Sequence, residues 1–153
     1  MTIEKTTEKH ADVAVGIIAG EIDTADSVLC QKRGMGYPWY PGRWSIPGGH
    51  IKLNETPEET LSRELTEEFR YRFKQFIPFL EQPYRDELRR GSELIIKTGI
   101  QKIFVIPFDG NLSELSLTEG VGFAFLTQPE IQTYPFIPHD KRAIEKYFAE
   151  FRH

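Results

Sequence analysis

Apolar residues occupy both alternating sets from Val13 to Gly20 (VAVGIIAG), so this stretch predicts a strand covered on two faces. Asp26 to Arg33 (DSVLCQKR) reads as its neighbour after a turn. Glu93 to Phe108 alternates over enough length for one long strand, or for a hairpin bent near Gly99. Phe73 to Tyr84 carries Pro78 and Pro83, which cannot donate to a ladder, so it predicts an edge-placed or broken strand. The charged run Arg85 to Gly91 (RDELRRG) then reads as a loop. Val121 to Leu126 adds a strand, and Gln128 to Gln132 one helical turn. Residues 1 to 11 are a polar lead-in, and Gly34 to Arg43 (GMGYPWYPGR) is an irregular loop of Gly, Pro and aromatics.

Two segments change to helical period. Ala143, Ile144, Tyr147, Phe148 and Phe151 predict an amphipathic C-terminal helix, with Asp140 as a candidate cap. Leu61, Leu65 and Phe69 form the apolar stripe of another helix, whose start is marked by Thr56-Pro57-Glu58-Glu59. In that capping box the Thr56 hydroxyl accepts from the Glu59 amide while the Glu59 carboxylate reaches back, and proline suits the first helical position. Just upstream, Trp44-Ser45-Ile46-Pro47 leads into Gly48 and Gly49, which read as a turn where φ > 0 lets a ligand approach the backbone. Strands around one helix, with a second helix closing the chain, predict an α/β/α sandwich around a mixed β-sheet.

With 153 residues, 39% of them apolar and 27% charged, the chain is large enough for one core, and residues 1–153 are expected to form a single domain. A net charge of −4 supplies no general attraction to nucleic acid or an anionic membrane, and neither is expected as a partner. An anionic substrate must therefore be drawn by local groups or a metal. Cys30, the single cysteine, excludes an intramolecular disulfide and reads as a small core hydrophobe. The polar N-terminus and the lack of a long apolar run make a cytoplasmic location the expectation, and a homodimer is compatible with the sequence.

The chemistry concentrates on the first helix. At about 100° per residue, Glu64, Glu67 and Glu68 share an arc beside the apolar stripe. Like charges at this spacing cost a few tenths of a kcal/mol per pair, and partial burial costs more. By helix geometry Arg63 cannot neutralise all three. Converging hard oxygens suit Mg²⁺ or Mn²⁺, which commonly serve bound phosphates. A lone acidic cluster on a helix is by default a solvated face. Here Gly49, Glu55, Arg63, Glu64, Leu65, Glu67 and Glu68 stand at the spacing G-x5-E-x7-R-E-U-x-E-E, and this stretch resembles the signature of the Nudix hydrolases. It departs at the end, where the family's glycine is Arg70 and the following aliphatic is Tyr71.

The resemblance implies the Nudix fold and a hydrolase that cleaves the diphosphate of a nucleoside diphosphate derivative by attack of water on phosphorus. It implies that Glu64, Glu67 and Glu68 hold the metal, with the Gly48 carbonyl as a further ligand, that Arg63 orients the glutamates, and that Glu55 is a structural partner. The family places its general base within the box, where Glu67 and Glu64 stand, or on a later loop. Glu119 in LTEGVGFAF is the loop candidate, against a solvated loop glutamate at similar odds. For the substrate, Tyr37, Trp39 and Tyr40 sit on the loop beside the paired glycines and offer flat faces to a nucleobase, whereas Trp44 reads as core. Gly49 lies in the phosphate-binding turn and His50 after it could touch a phosphate, although a lone exposed histidine is the default reading; of Arg85, Arg89 and Arg90, Arg85 is taken as the arginine that could grip a phosphate, against a run that is simply solvated. Other histidines are too scattered for a zinc cluster with Cys30. Two rivals remain: a sensor that keeps the fold without turnover, and a diphosphate-using isomerase with a pocket cysteine.

Overall fold

A computed structural model describes residues 2–22, 25–110, 112–116 and 122–151. Among these residues eight strands form one mixed sheet: β1 (Lys5–His10), β2 (Val13–Ile22), β3 (Ala25–Lys32), β4 (Trp44–Ser45), β5 (Gly48–His50), β6 (Ile77–Arg90), β7 (Glu93–Pro107) and β8 (Phe123–Thr127). The helices are α1 (Pro57–Phe69), α2 (Gln128–Thr133) and α3 (Pro138–Phe151). β7 is the spine. It pairs with β6 along one edge, while β1 and β2 run parallel to it, end to end, along the other. β2 pairs in turn with β5 and β3, and β3 with β4 and β8.

The doubly apolar pattern of the central strands has a direct structural cause. Val15, Ile17, Val28, Cys30, Ile103 and Val105 pack towards Ala143, Ile144 and Phe148 of α3. Their alternates Ala14, Ile18, Leu29, Phe104 and Ile106 pack towards Leu61, Leu65 and Phe69 of α1. The result is the expected helix-sheet-helix arrangement, with α1 under one face and α3 over the other. Those three α1 side chains are wholly buried, each worth roughly 1.5–3 kcal/mol.

Three expectations need correction. The polar lead-in contains β1, because the first half of β7 would otherwise leave an edge unpaired: Lys5 to His10 lie opposite Glu93 to Thr98. Residues 85–90, expected as a loop, continue β6, since an antiparallel hairpin with β7 satisfies their backbone while most of their side chains stay in solvent. The prolines fall where predicted, on an edge strand, with a register shift between Pro78 and Leu80. Of the two forms open to residues 93–108, one long strand is the one found. β7 runs through Gly99, and a Cβ there would lie 2.0 Å from the Ala11 carbonyl oxygen, where β1 passes into β2. Finally, Gly48 and Gly49 form no turn: they belong to β5, and neither has a positive φ.

Candidate active site

The box helix starts as its sequence demands. The Glu59 amide donates to Thr56 Oγ1 at 3.1 Å and the Thr56 amide to Glu59 Oε1 at 2.8 Å. At the other end Arg70 replaces glycine yet takes the same left-handed conformation, φ 50 and ψ 41, and its amide caps the Thr66 carbonyl at 2.9 Å. The helix exit is thus preserved, at a conformational cost that a glycine would avoid.

Arg63 organises the acidic cluster. It donates from Nε and Nη2 to the two oxygens of Glu55, both at 2.9 Å, a bidentate pair that Thr60 Oγ1 reinforces at 3.0 Å. These bonds hold the Glu55 carboxyl down at about 2, with Arg63 as the main cause. Arg63 Nη1 also donates to Glu64 Oε1 at 3.2 Å and lies 3.8 Å from Glu67 Oε1. Both contacts are with the neighbours that helix spacing gives Arg63, one residue and one turn along. Glu64 rests against the backbone of β5: a Cβ on Gly49 would fall 2.7 Å from Glu64 Cδ. A Cβ on Gly48 would meet the Ala14 carbonyl oxygen at 2.2 Å, so the first glycine seats β5 on β2 and the second seats a box carboxylate on β5.

Among the described residues no three His, Cys, Asp or Glu side chains are gathered as a metal-binding group. The donor chemistry nonetheless fits a hard cation. Glu55 occupies Arg63 through two bonds, Glu67 touches it only at 3.8 Å with a side chain 64% exposed, and Glu68 stands on the same helix. Glu119 lies outside the described residues.

On the other face of β5, a cavity of about 170 Å³ is lined by Gly48, Gly49 and His50, and by Arg33, Tyr84, Asp86, Lys97, Gln101, His139 and Asp140. His50 is at its exposed rim, and its proton affinity is lowered by burial and by Lys97. Of the loop aromatics, Tyr37 is 42% exposed beneath the Arg33 guanidinium, and Trp39 is half-buried with Lys97 Nζ 4.8 Å from its ring centre. Arg85 is not brought to this cavity. It pairs with Glu87 at 3.5 Å and borders a broad open groove with His10 and Arg142 that contains no box residue. Trp44 packs on the core and stacks on Tyr134, as expected.

The sequence reading missed the polar floor of the cavity. His139 Nε2 meets Asp86 Oδ1 at 3.2 Å and Nδ1 meets Asp140 Oδ1 at 3.0 Å. Tyr40 donates its hydroxyl to Asp86 at 2.7 Å, while Gln101 Nε2 and the Ile46 amide donate to Asp140 at 2.7 and 3.0 Å. Asp140 is therefore no simple helix cap, since it ties α3 to the segment between β4 and β5 and to β7. Burial alone would pull the His139 imidazolium down, but the bonds and charges of Asp140 and Asp86 outweigh it and raise its pKa to about 9. His139 is charged at neutral pH. No local motif marks these residues, which come from β6, β7 and α3. The only sequence signal was alternation in β6 and β7, which puts Gln82, Tyr84 and Asp86 on one face.

The family model of the NUDIX domain matches residues 10–147. The chain belongs to this family, a family of pyrophosphohydrolases that generally work with divalent metal ions. No protein of curated function matches it. Among solved structures it is similar to the MutT protein of Methanosarcina mazei, at 16% identity over 99% of this chain and 100% of that one, TM-score 0.65. It is also similar to the NUDIX domain of Shewanella oneidensis NrtR complexed with ADP ribose, at 15% identity over 97% and 90%, TM-score 0.62. The Ap4A hydrolase of C. elegans is 15% identical over 91% and 96%, TM-score 0.59. At these identities the likeness is one of fold. Cys30, wholly buried in the sheet with its thiol pushed up by burial, gives the isomerase reading no pocket nucleophile. Among the described residues no helix is long and apolar enough to cross a membrane.

Proposed function

We propose that this Nudix protein hydrolyses the diphosphate linkage of a nucleoside di- or triphosphate or a nucleoside diphosphate derivative, with Mg²⁺ or Mn²⁺. One observation carries the reading: Glu55 holds Arg63 in a bidentate clamp, and Arg63 in turn fixes Glu64, which is seated on Gly49. In this reading Glu64, Glu67 and Glu68, with the Gly48 carbonyl, hold the metal. The bound ion offsets phosphate charge and lowers the pKa of water. Glu67 and Glu64 stand in the box and Glu119 on the later loop as candidates for the general base. The cavity beside β5 and the Trp39 loop receive the substrate, with Gly49 and His50 bordering its phosphates.

A sensor without turnover would draw its support from the departure of Arg70 from the family's glycine, yet the left-handed cap at Arg70 leaves the box helix ending as a glycine would. That weakens the sensor reading. The test is release of phosphate or nucleotide from a panel of diphosphates, with and without Mg²⁺ or Mn²⁺. Divalent-dependent turnover is expected, reduced at least a hundredfold by Glu68→Gln, which is about 2.7 kcal/mol of transition-state stabilisation. Undiminished activity in EDTA would refute the metal assignment.

A further inference from the structure

Arg33 and Lys97 are half-buried cations on the wall of the cavity beside β5, and neither forms an ion pair with a described carboxylate. The cavity's two carboxylates are engaged elsewhere: Asp86 accepts from Tyr40 and His139, and Asp140 from Ile46, Gln101 and His139. His139 has both ring nitrogens engaged by these same carboxylates, which sets it apart from Arg33 and Lys97. Arg33 and Lys97 close on a single residue. Arg33 Nη1 donates to the Trp39 carbonyl at 2.9 Å, and Lys97 Nζ lies 4.8 Å from the Trp39 ring centre. Burial pushes the Lys97 ammonium below its usual range, and Arg33 and Lys9 push the same way against the pull of Asp86.

Lys97 stands opposite Asp86 across the β6–β7 ladder, but Asp86 already accepts from Tyr40 and His139 and makes no ion pair with it, so an anion in the cavity would further stabilise two cations held partly out of water. Size limits what that anion is. About 170 Å³ accommodates a phosphate or diphosphate but is well below the roughly 300 Å³ at which whole small-molecule sites begin. Position decides its role. Val13 and Val15, the partners of His50 and Gly48, line the cavity with them, whereas Gly49 backs onto Glu64 on the α1 face. The thin strand β5 thus separates the cations from the box glutamates.

We propose that Arg33 and Lys97 form an anion site that binds a phosphate group of the nucleoside diphosphate on the face of β5 opposite the box glutamates, without needing a divalent ion. This rests on the reading of the substrate as a nucleoside diphosphate compound. It assigns to Arg33 and Lys97 the phosphate contact for which the sequence had offered Arg85. The glutamate side handles the metal, and the cationic side holds the substrate's remaining charge.

The experiment is calorimetric titration of the whole protein in EDTA with ADP, with inorganic pyrophosphate and with inorganic phosphate. ADP and pyrophosphate should bind the wild type and Glu64→Gln alike. Lys97→Met and Arg33→Gln should each weaken that binding at least tenfold, and Lys97→Arg should restore it. Arg33 also anchors the loop carbonyl of Trp39, so Lys97→Met, which removes no hydrogen bond described here, is the cleaner arm, and thermal unfolding checks both variants. Absence of binding to the wild type in EDTA overturns the proposal. So does equal binding by Lys97→Met, an equal loss in Glu64→Gln, or phosphate binding as tightly as ADP. Turnover with Mg²⁺ is measured separately: if no diphosphate is hydrolysed, the hydrolase reading fails while the EDTA titration still decides the anion site.

Discussion

The two box glycines should fail in different ways when each receives one methyl group. Neither sits at positive φ, so alanine meets no backbone penalty, and reduced freedom of the unfolded chain would favour it by about 0.4–1 kcal/mol. The difference lies in what the methyl meets. At Gly48 it falls 2.2 Å from the Ala14 carbonyl oxygen and 2.7 Å from Val15 Cα, backbone atoms of the central strand β2 that cannot step aside. Relief requires β5 to lift from β2, an overpacking cost at or above the upper end of the usual 1–3 kcal/mol. For a domain of this size that is a fall in Tm of roughly 5–10 °C. At Gly49 the methyl falls 2.7 Å from Glu64 Cδ and 2.9 Å from its Cγ, the movable end of a side chain that is partly in solvent. Stability should change by less than about 1 kcal/mol, but the Glu64 carboxylate must shift by about an ångström. A misplacement of that order costs about a hundredfold in rate. Urea unfolding and Mg²⁺-dependent phosphate release, run on both variants, separate the cases. Gly48→Ala with wild-type stability, or Gly49→Ala with undiminished kcat, would refute the reasoning.

Other outcomes follow from single contacts. Glu55→Gln should lower kcat about tenfold while leaving the fold intact, because Arg63 loses its bidentate anchor and closes on Glu64 and Glu67; unchanged kinetics would make the clamp irrelevant. Arg70→Gly should raise stability by about 1 kcal/mol in urea unfolding with activity retained, since glycine adopts the left-handed cap without strain. His139, raised to about 9 from 6.5, contributes stability that is complete below pH 6.5 and is lost as pH rises through 9; His139→Asn should flatten the stability profile across that window, and a parallel profile would sink the charged-strut assignment. Trp39→Ala should raise KM at least tenfold for nucleotides through loss of a base-stacking surface, and an equal effect on a non-nucleoside diphosphate would reduce Trp39 to loop support.

Local interactions made part of this protein readable without coordinates. The box helix is fixed by contacts within one or two turns: Thr56 with Glu59, Arg63 with Glu64 and Glu67, and the stripe of Leu61, Leu65 and Phe69. Spacing along the chain is then nearly spacing in space, so the helix, its cap and its acidic arc could be derived from sequence. The doubly apolar strands were legible for a similar reason, because period two assigns alternate residues to opposite faces whatever the topology. Partnership across the sheet was not legible. The polar β1 is a strand only because β7 is longer than β2 and leaves six residues to pair, and residues 85–90 extend β6 for the same reason.

The glycine pair and the cavity show where tertiary structure alone decided. Gly48 and Gly49 look like a turn in sequence, since glycine signals conformational freedom as readily as lack of bulk. Only the approach of Ala14 and Glu64 shows that lack of bulk is the reason. His139, Asp86, Asp140 and Tyr40 are isolated polar residues along the chain, each ordinary in its own neighbourhood. They become one charged network because β6, β7, α3 and the loop of residues 34–43 meet over β5. The sequence thus determined the box, whose chemistry is carried by near neighbours on one helix. The opposite wall of the site, with Arg33 and Lys97, depends on contacts between residues dozens of positions apart, and the register of the sheet placed it.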